Sequence, residues 1–140
     1  LLLRMNHFVR KRDRNRFNGL ELGLLERWLD ELREESQTKP VIVEGKKDSE
    51  ALEKFGIRTA QLHKTHSSLH ERVEMLSKSK ECILLLDLDG AGRRLHARLK
   101  GDLQHAGVRV NSRFRNFLFT RTRLRFIEGL DTYIKNLGWR

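Results

Sequence analysis

The chain of 140 residues, 38% of them apolar, is expected to fold as one domain with one core, and no run approaches the roughly 20 apolar residues of a membrane-spanning helix, so no membrane partner is expected. The net charge of +10 is segregated: residues 1–17 carry six basic and one acidic side chain, residues 18–91 carry 11 and 15, and residues 92–140 carry 12 and 3. Positive ends around an acidic middle are the electrostatic footprint of a polyanion binder, which points to RNA or DNA.

Residues 1–17 read as a basic N-terminal tail; they are arginine-rich like a transit peptide but lack its serines, and LLLR is too short for a signal peptide. The first methionine is Met5, so the natural start is expected there or upstream. Within residues 18–37, GLELGLLERWLDELREE at 19–35 puts Leu22, Leu25, Trp28, Leu29 and Leu32 at helical spacing, an amphipathic helix that packs on the rest of the chain or offers a face to a second copy or a protein partner. Residues 38–140 read as the main α/β domain.

Lys39 and Pro40 break the helix, and VIVEG follows as a buried strand ending near Glu44. Asp48 is expected to cap a helix carrying Ala51, Leu52 and Phe55 that stops at Gly56. Ile57–Leu62 is a weaker strand. Ser68 and Glu71 form a capping box for a helix over about 69–77. Ile83–Leu86 is the next strand, and Cys82, the only cysteine, enters it as a small buried hydrophobe, which suits a reducing, cytoplasmic setting. A helix over 91–104 and a strand at Val108–Val110 follow. SRFRNFLFTR suits a helix with Phe114, Phe117 and Leu118 inward; TRTRLRF alternates like a strand with Arg121, Arg123 and Arg125 on one face; IEGLDTYIKNLGW closes the chain as a helix packed by Leu130, Tyr133, Ile134 and Leu137. Strands alternating with helices predict right-handed β-α-β units and a mostly parallel sheet of four strands flanked by helices.

The carboxyl ends of parallel strands open onto one edge, where ligands bind. Glu44 ends the first strand, and Asp87 and Asp89 end the later one in ILLLDLDGAG, so three carboxylates from distant segments should meet. Alone they would repel and raise their own pKa values; a hard dication with oxygen ligands, Mg2+ or Mn2+, resolves the conflict. Helix capping at Ala91 would need only one aspartate. The second, together with Gly90 and Gly92, which would let a substrate backbone come close, favours a metal site.

These motifs, VIVEGKKDSEAL at 41–52 and LLLDLDGAGRRL at 84–95, resemble the Toprim family, the catalytic fold shared by topoisomerases, bacterial primases and some nucleases. Family members carry a glutamate, usually followed by glycine, after an apolar strand and a DxD after a later one; Glu44, Gly45, Asp87 and Asp89 occupy those positions. The small stand-alone Toprim proteins of archaea and bacteria, some similar to the ribonuclease that matures 5S ribosomal RNA, are nearest in character, over about residues 38–135. The resemblance implies a Rossmann-like Toprim fold, Glu44 as general acid or base and as a contributor to the metal site, and magnesium on Asp87 and Asp89. It also implies Lys46 and Lys47 near phosphate, with Gly45, Asp48, Gly90 and Gly92 supporting the site. The chain shows neither the active-site tyrosine domain of a topoisomerase nor the zinc and helicase-binding modules of a primase, so neither activity is expected of it alone.

DLDG is also close to the first motif of haloacid-dehalogenase-type phosphatases. That motif is followed by a threonine, here Ala91, and needs a downstream acidic pair, whereas the only acids after Asp89 are Asp102, Glu128 and Asp131. GAGRRL lacks the third glycine of a dinucleotide loop. His63, His66 and His70 share no face and read as surface histidines rather than zinc ligands. Arg93 and Arg94 open the helix behind the aspartates, within reach of a phosphate. Five arginines in residues 113–125, namely Arg113, Arg115, Arg121, Arg123 and Arg125, exceed what solubility requires and are assigned to backbone contact, the phenylalanines between them to packing. Glu128 and Asp131 either add acids to the metal cleft or cap the final helix, and capping is the preferred assignment. The function expected is magnesium-dependent phosphodiester chemistry on nucleic acid, foremost endonucleolytic cleavage; the alternative is a non-catalytic binding module within a larger complex.

Overall fold

Period-two alternation in the apolar runs decides which core each strand residue enters. Val41, Val43, Ile83 and Leu85 join one cluster, while Ile42, Cys82, Leu84 and Leu86 join another on the opposite side of the sheet. Both faces are therefore apolar, as a parallel sheet covered on both sides requires.

A computed structural model describes residues 11–63 and 68–138. In chain order the elements are α1 (Lys11–Glu35), β1 (Val41–Val43), α2 (Lys46–Glu53), β2 (Ala60–Gln61), α3 (Leu69–Leu76), β3 (Glu81–Leu84), α4 (Gly90–His105), β4 (Arg109–Asn111), α5 (Arg113–Arg121), a 3-10 turn (Ile127–Gly129) and α6 (Leu130–Asn136). The four strands run in the order β2-β1-β3-β4, all parallel, with Ile42 beside Ala60, Val41 beside Ile83 and Cys82 beside Val110. The expected α/β architecture is the observed one.

Helix α1 buries Leu25, Trp28, Leu29 and Leu32 in the first cluster with residues of α2, α5 and α6. Trp28 Nε1 donates to the Phe114 carbonyl at 3.0 Å, and the two rings meet edge to face at 6.1 Å, which ties α1 to α5. The second cluster holds Val73 of α3 and Leu99 and Leu103 of α4. Ser68 caps α3 by accepting the Glu71 N–H, as its spacing predicted. Cys82 is fully buried, and burial pushes its thiol up to about 11.

Four local expectations are corrected. Helix α1 starts at Lys11, inside the segment read as a tail; residues 1–10, like His66, lie outside the described residues. Asp48 does not cap α2: Gly45 holds that position, and the Asp48 carboxylate, one turn in, accepts the Gly45 N–H at 3.2 Å. Thr122–Phe126 is extended but joins no ladder, because its backbone groups are taken elsewhere. Leu124 N–H goes to Thr122 Oγ1, Arg123 N–H to the Tyr133 hydroxyl, and the Arg125 carbonyl accepts Leu88 N–H. The predicted alternation survives in part, with Thr122 and Leu124 buried and Arg121, Arg123 and Arg125 exposed, but Phe126 is exposed too. Finally, neither Glu128 nor Asp131 caps a helix through its side chain; Asp131 pairs with Lys54 at 3.4 Å and Lys135 at 3.1 Å.

Candidate metal and phosphate site

Four acids at the carboxyl edge are each held by a backbone N–H. Glu44, the first residue beyond β1, accepts the Asp87 N–H. Asp48 accepts from Gly45 and Glu128. Asp87 Oδ1 accepts the Ile127 N–H at 2.9 Å, and Asp89, the N-cap of α4, accepts the Gly92 N–H at 2.8 Å. The chain thus fixes four carboxylates from two strand-to-helix turns while occupying one oxygen of Asp87 and one of Asp89.

The cluster is electrostatically strained. Burial, aided by repulsion from Asp48, Glu44 and Asp89, pushes the Asp87 carboxyl up to about 6. Burial also raises Glu44, with Asp48 and Asp89 adding to the shift, and raises Asp48, with Glu128 adding. His63, whose backbone N–H binds the Glu44 carbonyl at 3.0 Å, lies close enough for its positive form to lower both Glu44 and Asp48. The donor set is all oxygen, anionic and half-buried, which suits magnesium, an ion that takes a few carboxylates and completes its shell with water and substrate phosphate. Among the described residues no three His, Cys, Asp or Glu side chains already stand in position to enclose an ion.

The aspartate turn is braced from two sides. Arg115 is buried on α5, donating from Nε to the Leu86 carbonyl at 3.2 Å and from Nη2 to the Asp87 carbonyl at 3.1 Å. A Cβ on Gly92 would lie 2.1 Å from the Asp87 carbonyl oxygen, so Gly92 permits helix and strand to approach, not a substrate. Gly90 is exposed, and a Cβ on Gly45 would meet nothing within 4 Å, which leaves open space beside Glu44.

Of the basic residues singled out from sequence, Lys46, Lys47, Arg93, Arg94, Arg121, Arg123 and Arg125 are exposed. Arg93 follows Asp89 by one helical turn, and Arg125 bonds through its carbonyl to Leu88, between the two aspartates. Arg113 instead pairs with Glu31 of α1 at 2.9 Å, and Arg115 is occupied with the strand carbonyls, so both are engaged within the fold. The sequence reading kept Asp48 as a supporting residue, although it belongs to the acid cluster itself; it preferred capping to the metal cleft for Glu128, which adds its charge beside Asp48, and it read His63 as a surface histidine, which is exposed but also lies beside Glu44 and Asp48. Asp48 lies four residues after Glu44, a spacing that brings two side chains together across one turn of a strand-to-helix junction.

The Toprim-like family pattern matches residues 41–117, which contain both acid-bearing turns. The chain belongs to the Toprim-like family. It is 36% identical over 110 residues to a UPF0292 protein of Methanocaldococcus jannaschii, covering 76% of this chain and 86% of that one. A UPF0292 protein of Methanosarcina barkeri is 32% identical over 120 residues, covering 83% and 84%. A solved Aquifex aeolicus structure superposes with a TM-score of 0.68 at 37% identity, over 74% of this chain and 95% of that one. This UPF0292 relationship and the Toprim-like fold point to a nucleic-acid-related, metal-dependent role. No helix among the described residues is long and apolar enough to cross a membrane.

Proposed function

We propose that this Toprim-like protein binds nucleic acid and carries out magnesium-dependent phosphodiester cleavage, endonucleolytic in kind. The observation that carries the reading is the convergence of Glu44, Asp48, Asp87 and Asp89, with Asp87 raised to about 6 by burial and repulsion. Carboxylates that only capped helices would have no reason to be concentrated at this cost.

In this reading Asp87 and Asp89 hold magnesium through the oxygens their backbone contacts leave free. Held there, the ion would supply charge neutralisation at the phosphate. Glu44, raised by burial, takes the proton of the attacking water or ribose hydroxyl as its oxygen bonds to phosphorus. The bond to the leaving oxygen breaks, and that oxygen takes a proton from solvent. Arg93 and Arg94, at the start of α4, steady the phosphate's remaining oxygens.

The test is cleavage of end-labelled structured RNA and of supercoiled plasmid, with magnesium or manganese, by the wild type and by Glu44→Gln. Metal-dependent products lost in the variant support the nuclease and identify its polymer. Tight binding without turnover by either protein would favour the second reading, a non-catalytic nucleic-acid-binding module.

A further inference from the structure

Helix α5 leaves one aromatic side chain outside the core. Phe114 and Leu118 are buried, but Phe119 is 39% exposed. A single exposed phenylalanine is ordinary. What surrounds this one is not: the Arg93 guanidinium lies 4.6 Å from the centre of its ring and that of Arg125 lies 5.8 Å away.

Both arginines are tied by their backbones to the turn that carries the aspartates. Arg93 N–H donates to the Asp89 carbonyl, and the Arg125 carbonyl accepts Leu88 N–H. Phe119 lies one helical turn beyond Arg115, which grips the Leu86 and Asp87 carbonyls, so this side of α5 faces the same strand end. Among the described residues neither Arg93 nor Arg125 has a carboxylate within ion-pair distance. An aromatic ring and two guanidiniums without carboxylate partners, that of Arg125 donating from Nη1 to the Leu124 carbonyl at 3.0 Å, therefore stand beside an acid cluster read as a phosphodiester site.

We infer that Phe119, Arg93 and Arg125 form a stacking platform for an unpaired base, so that the segment presented to the carboxylates is single-stranded. The inference rests on the nucleic-acid reading of that site. In a duplex each base already has neighbours on both faces, whereas an unpaired base can lie on an aromatic ring or a guanidinium plane. An exposed cation–π contact is weaker than base stacking, so an incoming base can displace a guanidinium from the ring and free it for the flanking phosphate. The phenylalanine assigned to packing thus becomes a substrate contact.

The experiment is fluorescence anisotropy with labelled oligo-dT, oligo-rU and a blunt duplex of equal length, in the Glu44→Gln background with magnesium so that no strand is consumed. The expected result is tighter binding of the single strands, weakened roughly tenfold or more by Phe119→Ala, with duplex binding changed less than twofold. Phe119→Trp should retain single-strand binding, and its added emission should be quenched by the single strands and not by the duplex, a readout that does not depend on truncating the side chain. Single-strand binding untouched by Phe119→Ala, with no quenching in Phe119→Trp, would remove the platform and leave the nucleic-acid reading standing. Binding of none of the three would overturn both. The dT and rU arms separate the two polymers.

Discussion

Between β1 and α2 the chain turns at Gly45, where an added Cβ would meet nothing within 4 Å; between β3 and α4 it turns past Gly92, where the same atom would lie 2.1 Å from the Asp87 carbonyl oxygen. The second turn is also held by Arg115 on its carbonyls, by Ile127 N–H on Asp87 and by Arg125 on Leu88. The first is held chiefly by Asp48, itself one of the acids, and exposes Lys46 and Lys47. One turn is a fixed frame for two aspartates. The other keeps space free beside Glu44.

If the frame is as rigid as its contacts imply, breaking it should have the largest effect. Gly92→Ala places its Cβ against backbone, which no rotamer change relieves, and should cost about 3 kcal/mol in urea unfolding while abolishing metal-dependent activity. Arg115→Met comes next. It fills similar space but leaves the Leu86 and Asp87 carbonyls without their donor, an expected loss of about 2 kcal/mol. A melting temperature unchanged in both variants would contradict the contrast between the two turns.

Asp87→Asn sharpens the comparison from the opposite direction, because it should stabilise the metal-free protein. The carboxyl is raised from 3.8 to about 6, so the fold prefers it protonated. Its contribution to stability is complete below the unfolded value and is lost as pH rises through about 6. Metal-free wild type should therefore weaken between about pH 4 and pH 7, and Asp87→Asn, which can still accept the Ile127 N–H, should recover about 1–2 kcal/mol at neutral pH after allowance for solvent screening. Magnesium should act with the opposite pH dependence, since it binds the ionised form, stabilising the wild type more at pH 8 than at pH 5 and the variant at neither. Thermal melts across pH with and without magnesium measure both slopes.

Which parts of this were legible in the sequence follows from how local their causes are. The apolar runs at 41–43 and 83–86 announce buried parallel strands by composition alone, although β3 itself runs two residues earlier, Glu81–Leu84, and their order with the intervening helices determines that Glu44, Asp87 and Asp89 share an edge. Asp48 was misassigned because an aspartate before a helix is ordinarily its cap; that Gly45 caps instead follows from Asp48 turning back one helical turn to the Gly45 N–H. Residues 122–126 alternate like a strand, yet hydrogen bonds from Thr122, Tyr133 and Leu88, two of them distant in sequence, hold that segment away from the sheet. Arg115 looked like its arginine neighbours, and only the packing of α5 against β3 shows that it is structural.

The smallest change expected in stability belongs to the open turn. Gly45 has φ −146° and ψ −171°, an extended conformation that any residue adopts, and its N–H to Asp48 does not depend on the side chain. Gly45→Ala should therefore shift unfolding by no more than about 0.5 kcal/mol. Its effect on catalysis should be larger than its effect on folding. A methyl group there occupies the free space beside Glu44, so kcat/KM should fall severalfold, mainly through KM, if that space receives the substrate phosphate. Unchanged stability with unchanged kinetics would mean that the space is idle and that the substrate approaches from the side of Arg93 and Arg94 instead.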